Sequence, residues 1–429
     1  MMILLQIQKS MKTNRNVNWF FISLWLWLCI GCFSHKYISK QNLAYLYSDA
    51  EIILKPEYLL YHTSKDTSIL YFKINTSELL YARDGFMSNF KAKFSISYEL
   101  LESYESKQTL DSLTFYYEDS VTTIKHSFII DSLFLKIPYG NNYVIKLTAS
   151  DYNRKKYFIS YMNIYKTNIF SIQNYLLLDN EDKPLFSSYL KNKQKFRIIY
   201  NNDSVTQLYV KYYQNTFPIA TPPFHLHAGK TTTIYPDSIF ILALEKGLSP
   251  LMDFPDEGIY RIMLDTGYKE CFTLFRFHED FPDITLAEQM LYSSRYLTTR
   301  QEYENMIIMA DKKEAIDNFW LDMAGNADRA RQLVKTYYGR VKQGNKYFTS
   351  YHEGWKTDRG MVYIIYGPPT TVYKSSTYEN WIYGDATNFK SLNFYFYKVE
   401  NPFSENDYML SKSEIFRDSW YYAVSNWRR

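Results

Sequence analysis

Lys91-Ala92-Lys93-Phe94-Ser95-Ile96-Ser97-Tyr98-Glu99-Leu100 decides the fold class. Ala92, Phe94, Ile96, Tyr98 and Leu100 fall on one face, while Lys and Ser hold the other. Alternation with period two marks a strand with one face on a core and one face in water. Working outward, Ser68–Ile74, Ser127–Ile137, Tyr143–Ala149 and Lys156–Tyr161 read as further strands. Pro138-Tyr139-Gly140-Asn141-Asn142 supplies turn chemistry between two of them. No helical period intervenes, so residues 42–166 are expected to form an immunoglobulin-like β-sandwich.

Residues 167–281 repeat the pattern. Lys195–Tyr200, Gln207–Tyr213, Thr231–Tyr235, Gly258–Asp265 and Glu270–Phe277 read as strands, with Asn201-Asn202-Asp203-Ser204 as a hairpin turn between the first two. A second small β-sandwich is expected here. From Pro282 the character changes, and 282–429 is expected to be an α+β domain. Thr285–Glu288 and Thr299–Glu302 both fit the capping box, in which the first side chain and the fourth close each other's backbone donors. Asp311 opens a helix carrying Ile316, Phe319, Trp320 and Met323. Gly325 breaks it, and Asn326 caps a longer helix from Ala327 to about Phe348. Ala330, Leu333, Val334, Tyr337, Tyr338 and Val341 form the expected buried side of that helix. The remainder is read as β. Met361–Tyr366 is a short apolar strand, and Glu379–Tyr383 is another. Ser391–Val399 sets Leu392, Phe394 and Phe396 outward against Asn393, Tyr395 and Tyr397. Trp420–Trp427 is a last short helix or strand.

The length of 429 residues exceeds what one core supports and implies several domains. Aromatic residues make up 19%, with 43 Tyr. They favour pleated, half-buried surfaces and so agree with a β-rich chain; compositional bias of the genome is the alternative source. Lys and Arg number 49 against 45 Asp and Glu, spread evenly, so no basic stripe marks a nucleic-acid partner.

Lys12-Thr13-Asn14-Arg15 is a positive region ahead of an apolar stretch from Trp19 to Ile30. That stretch is too short to span a bilayer comfortably and suits a secretory signal. Met11 is a second candidate start, since Met1–Ser10 add nothing a signal needs. Gly31-Cys32 closes the stretch and resembles a bacterial lipoprotein box, with Cys29 where Leu is usual. The resemblance implies a signal peptide over 1–31, a diacylglycerol on Cys32 and a tether over 32–41; an uncleaved membrane anchor is the alternative. Of Cys29, Cys32 and Cys271, only Cys271 then remains, so no intramolecular disulfide is expected. Cys271 sits in an alternating strand and reads as a small core hydrophobe.

The densest cluster of unusual choices is Gly354-Trp355-Lys356-Thr357-Asp358-Arg359-Gly360, followed by the apolar run and Gly367-Pro368-Pro369. Gly354 is expected to allow a conformation a Cβ would forbid, with Trp355 as a core anchor. Thr357 and Asp358 are expected to bond backbone amides at a turn, Asp358 also to pair with Arg359 or Arg340, and Gly360 to let a strand begin. Tyr366, Gly367 and Pro368 end that strand. As chemistry, Asp358 and Arg359 would be an acid and an electrostatic clamp. His225 with His227 is half of a metal site without further ligands, and His352-Glu353 is a base with a partner or a solvated loop.

Gly354–Asp358 fits the GWxTD pattern, and the chain resembles the bacterial GWxTD domain family, found in Bacteroidetes, beyond those five residues. The similarity takes in Phe319-Trp320, Tyr338, Arg340-Val341, Asn345 and Phe348, Tyr363–Pro369 and Trp381-Ile382-Tyr383. Leu321–Gly325 departs from the family's usual Arg-Asp-Pro. Coverage runs from about Pro282 to Trp427. The resemblance implies architecture and address, with no reaction, no cofactor, no metal and no catalytic residue. The expected function is a lipid-anchored adaptor in the outer membrane of a Gram-negative bacterium, binding an envelope protein through the GWxTD domain. One alternative is an enzyme or accessory factor acting on envelope glycan or lipid. Another is surface carbohydrate binding, which would require exposed aromatic rows on the sandwiches.

Overall fold

The computed structural model describes residues 37–48, 54–83, 85, 88–214, 217–226 and 234–428. The signal peptide, Cys29, Cys32 and His227 lie outside the described residues.

Seven strands build the first sandwich: β1 (Glu57–His62), β2 (Thr67–Asn75), β3 (Phe90–Leu101), β4 (Thr109–Val121), β5 (Phe128–Lys136), β6 (Asn142–Asp151) and β7 (Lys156–Tyr165). They pair as a three-stranded sheet β1-β2-β5 and a four-stranded sheet β4-β3-β6-β7. Ala92, Phe94, Ile96, Tyr98 and Leu100 are all buried, facing Leu70, Phe72 and Ile74 of the other sheet within one apolar core. The alternation in β3 therefore faces inward as expected. Strand β4 shows no such signal in the sequence because it is an edge strand, exposed on most of its length.

The second block holds β8 (Tyr175–Leu178), β9 (Arg197–Tyr200), β10 (Gln207–Tyr213), β11 (Ser238–Ala243), β12 (Gly258–Met263) and β13 (Phe272–Arg276). Strands β8 and β9 pair with each other, and the other four run in the order β11-β10-β12-β13. The expected hairpin at Asn201–Ser204 is corrected, because it joins strands of different sheets. The strand after β10 is Ser238–Ala243; Tyr235 is not in a strand, and residues 231–233 lie outside the described residues. Cys271 precedes β13 and is only half-buried, its Sγ 3.1 Å from Arg261 Nε, so it is not a core hydrophobe.

Helices α1 (Ala287–Ser293), α2 (Arg300–Ile308), α3 (Lys312–Ala324), α4 (Ala327–Phe348), α5 (Asp358–Tyr366) and α6 (Arg417–Trp427) then surround a sheet ordered β14 (Thr371–Lys374), β15 (Tyr378–Tyr383), β16 (Leu392–Lys398), β17 (Tyr408–Leu410). Thr299 and Glu302 form the expected capping box, Asp311 caps α3 and Asn326 caps α4. Thr285 does not cap α1. Its amide and hydroxyl are held instead by Asp280. Phe394 and Phe396 point into the core, reversing the outward assignment. Among the described residues no helix is long and apolar enough to cross a membrane.

The main correction is Met361–Tyr366, which is helix and not strand. Thr357 Oγ1 accepts from the Gly360 amide at 3.0 Å and starts α5. Gly367, at φ +86°, ends it. Every residue from Arg359 to Ile365 is buried, so the helix is apolar on nearly all sides. Such a run has no wet face to show its period, and a short one looks the same as a buried strand.

Helix α5 lies against α4 through glycines. A Cβ on Gly354 would meet the Gly344 carbonyl oxygen at 2.0 Å, and one on Gly360 would meet the Gly354 oxygen at 1.9 Å. Gly354 is thus required for close approach, not for a left-handed backbone. At Gly339, also on α4, a Cβ would meet nothing within 4 Å. Gly354→Ala and Gly360→Ala should each destabilise the protein by about 3 kcal/mol through overpacking. Gly339→Ala should stabilise it by about 0.5–1 kcal/mol through helix propensity. Denaturant unfolding of the three variants checks the contrast; equal effects would contradict it.

Candidate functional site

The segment between α4 and α5 is a short 3-10 turn over Gly354–Lys356. Trp355 is buried as an anchor. Its amide donates to Asn345 Oδ1 at 3.1 Å, and its carbonyl accepts from the Tyr296 hydroxyl at 3.0 Å. The Thr357 hydroxyl donates to the Gly354 carbonyl at 2.7 Å while capping α5. The hydroxyl of the motif therefore closes backbone groups of both the turn and the helix end.

Asp358 does not pair with Arg359 or Arg340. Its Oδ2 accepts from the Leu410 amide at 2.8 Å, and its Oδ1 lies 3.4 Å from Lys412 Nζ, with the side chain 11% exposed. It pins β17 to the start of α5. Burial pushes its pKa up, opposed by Lys412 and the Leu410 amide. Arg340 closes the other end of α5, donating to the Ile364 and Ile365 carbonyls at 2.9 and 3.2 Å. Tyr366 sets its hydroxyl 3.3 Å from Ser419 Oγ, the Gly367 carbonyl accepts from Tyr383, and Pro368 is exposed just past the helix end.

Arg359 enters a buried charge cluster that the sequence analysis did not anticipate. Its Nη1 lies 3.2 Å from Glu379 Oε1, and Nη2 donates to the Asn406 carbonyl at 3.0 Å. The guanidinium is held between the rings of Phe348 and Tyr408. Glu379 is fully buried. It also accepts from the Tyr47 hydroxyl at 2.9 Å and from Trp381 Nε1 at 3.1 Å, and pairs with Lys374 at 3.1 Å. Burial pushes the Glu379 carboxyl up, but Lys374 and Arg359 outweigh it and hold its pKa at about 2. The available signal was period two in β15, which puts Glu379 on the same face as Trp381. A carboxylate beside a core tryptophan needs a buried cation.

The remaining candidates are spread out. His352 is buried and stacks on Tyr351 at 4.3 Å, and burial pulls its pKa to about 4, so it is neutral at ordinary pH. Glu353 pairs with Lys356 at 2.7 Å. His225 is exposed, and no group of His, Cys, Asp and Glu among the described residues could hold a metal ion. A groove of about 460 Å³ opens to solvent beside the motif's end. Arg340, Tyr366, Leu392, Tyr422, Ala423 and Trp427 line it, and Tyr421, Tyr422 and Ile415 are exposed.

Residues 258–429 match the model of the GWxTD domain, so the chain carries a GWxTD domain. The match begins at β12, earlier than the expected Pro282, and so includes two strands of the second sheet block. No curated protein matches the chain.

Removing one partner of a buried pair strands the other charge, so Glu379→Gln should cost about 3–5 kcal/mol. The acid side gives a second test. Glu379 has a folded pKa of about 2 against an ordinary value of 4.5. Its carboxylate therefore contributes fully above about pH 4.5, and the contribution is lost as pH falls through about 2. Urea midpoints measured from pH 6 down to pH 2 should fall more steeply in the wild type than in Glu379→Gln; parallel curves would contradict the assignment.

Proposed function

We propose that this chain is a lipid-anchored envelope protein of a Gram-negative bacterium, with its site in the outer membrane. It acts as a non-enzymatic adaptor that holds an envelope protein partner through the GWxTD domain. The observation that carries the adaptor reading is the state of Asp358. Its carboxylate is spent on the Leu410 amide and Lys412, and Arg359 is spent on Glu379 and Asn406. The two residues that would have served as acid and clamp hold the fold together instead. The groove between α6 and the end of α5 is lined in part by Tyr366, Leu392, Tyr422 and Ala423, an aromatic and apolar composition that suits a small protein-docking site.

The sequence supports the anchor through Gly31-Cys32 after an apolar stretch.

Crosslinking in the native envelope from a photoreactive residue at Tyr422, read by mass spectrometry, should recover one specific protein. Ala423→Arg should abolish that crosslink. Recovery of no specific protein would contradict the adaptor reading. Separately, Cys32→Ala should move the protein from the membrane to the soluble fraction, and continued firm membrane association would remove the lipid anchor.

A further inference from the structure

The outer face of the four-stranded sheet in the first sandwich carries a second cavity, of about 770 Å³, on the side away from the core. Its construction follows from the register. Ser95 of β3 stands opposite Tyr116 of β4 and Ser150 of β6, and Ser150 stands opposite Tyr157 of β7. The next rung sets Ser97 between Thr114 and Thr148, with Ile159 beyond. The rung after that places Glu99 between Ser112 and Lys146. The cavity is lined by the hydroxyls of Ser97, Ser112, Thr114, Thr148 and Ser150 with Tyr157 at the β7 margin, and Tyr116 stands beyond that lining on the β4 margin of the same face.

The margins are exposed. Tyr116 is 73% accessible and Tyr157 64%. Tyr152 stacks on Tyr116 with centroids 6.1 Å apart, and its hydroxyl lies 3.1 Å from Ser95 Oγ, so this wall is a supported pair of rings. Four strands at about 4.8 Å spacing separate the two margins by roughly 14 Å. That is room for a short oligomer, not for one small molecule.

The charge on this face is mostly paired, with Lys93 beside Glu118 as one further cation. Glu99 pairs with Lys146 at 2.7 Å, and Glu118 with Lys91 at 2.6 Å. A nucleic acid or an anionic lipid surface would need an uncompensated basic patch. A stable protein interface would need a contiguous apolar centre, whereas here Leu113 and Ile159 are separated by serines, threonines and the Glu99–Lys146 pair. Hydroxyls that both donate and accept, set between flat aromatic rings, complement a pyranose, which has apolar C–H faces and a hydroxyl rim.

We infer that the β4-β3-β6-β7 face binds a neutral oligosaccharide chain, with Tyr116 and Tyr157 stacking on sugar rings and Ser97, Thr148 and Ser150 bonding their hydroxyls. This function is separate from the GWxTD groove and does not depend on it.

Native gel electrophoresis of the full chain through laminarin, dextran, soluble starch, yeast mannan and hydroxyethylcellulose tests it. At least one of these should retard the protein. The double variant Tyr116→Ala/Tyr157→Ala should migrate as it does in a plain gel. Thr148→Arg, which fills the floor and leaves the tyrosines in place, should also lose the retardation. It decides the matter if the double variant fails the circular-dichroism check for folding. No retardation by any of the five polymers, or retardation that survives Thr148→Arg, would overturn the inference.

Discussion

Between helix α4 and helix α5 the backbone passes so close that two positions admit only glycine. The Gly344 carbonyl occupies the space a Gly354 side chain would need, and the Gly354 carbonyl occupies the space at Gly360. From that contact the rest of the module follows. The turn is tight enough for the Asn345 side chain to reach the Trp355 amide, and for the Thr357 hydroxyl to bond the Gly354 carbonyl while capping α5. A helix begun at that point sends Arg359 into the core and Asp358 toward β17.

The buried pair that results is a matter of specificity more than of gross stability. Withdrawing a carboxylate and a guanidinium from water costs about as much as their attraction returns, unless further donors share the load. Here they do: Glu379 has Lys374, Tyr47 and Trp381 besides Arg359, and Arg359 has Asn406 and two aromatic rings. A carboxylate satisfied in this way can sit only where all of these meet. It fixes the register of β15 against α5 and ties in a residue more than 300 positions away in the chain.

That distant residue, Tyr47, belongs to a segment that closes the module from outside its own sequence range. The Asn42 side chain accepts from the Val372 amide and donates to the Thr370 carbonyl, the Leu43 amide donates to the Val372 carbonyl, and the Tyr47 carbonyl accepts from Tyr363. Ile38, inside the expected tether over 32–41, is buried with them. The GWxTD domain of this chain therefore completes its core with residues that precede the first sandwich. Residues 38–429 form one compact unit.

The sequence by itself determined the β-rich character of the first two blocks, the caps at Thr299, Asp311 and Asn326, the burial of Trp355 and the presence of a GWxTD domain. These are local properties. Alternation in β3, cap chemistry and the motif letters depend on residues a few positions apart, and physics at that range is legible in one dimension. Tertiary structure alone decided that Met361–Tyr366 is helix, because a run buried on all sides carries no period. It alone decided the fate of Asp358 and Arg359, because their partners Leu410, Lys412 and Glu379 lie on other strands and in a loop. It alone revealed that Tyr47 joins the same cluster, and that serines and tyrosines from four strands share one exposed face. Each of these rests on contacts between chain segments far apart in sequence, and spacing along the chain holds no record of them.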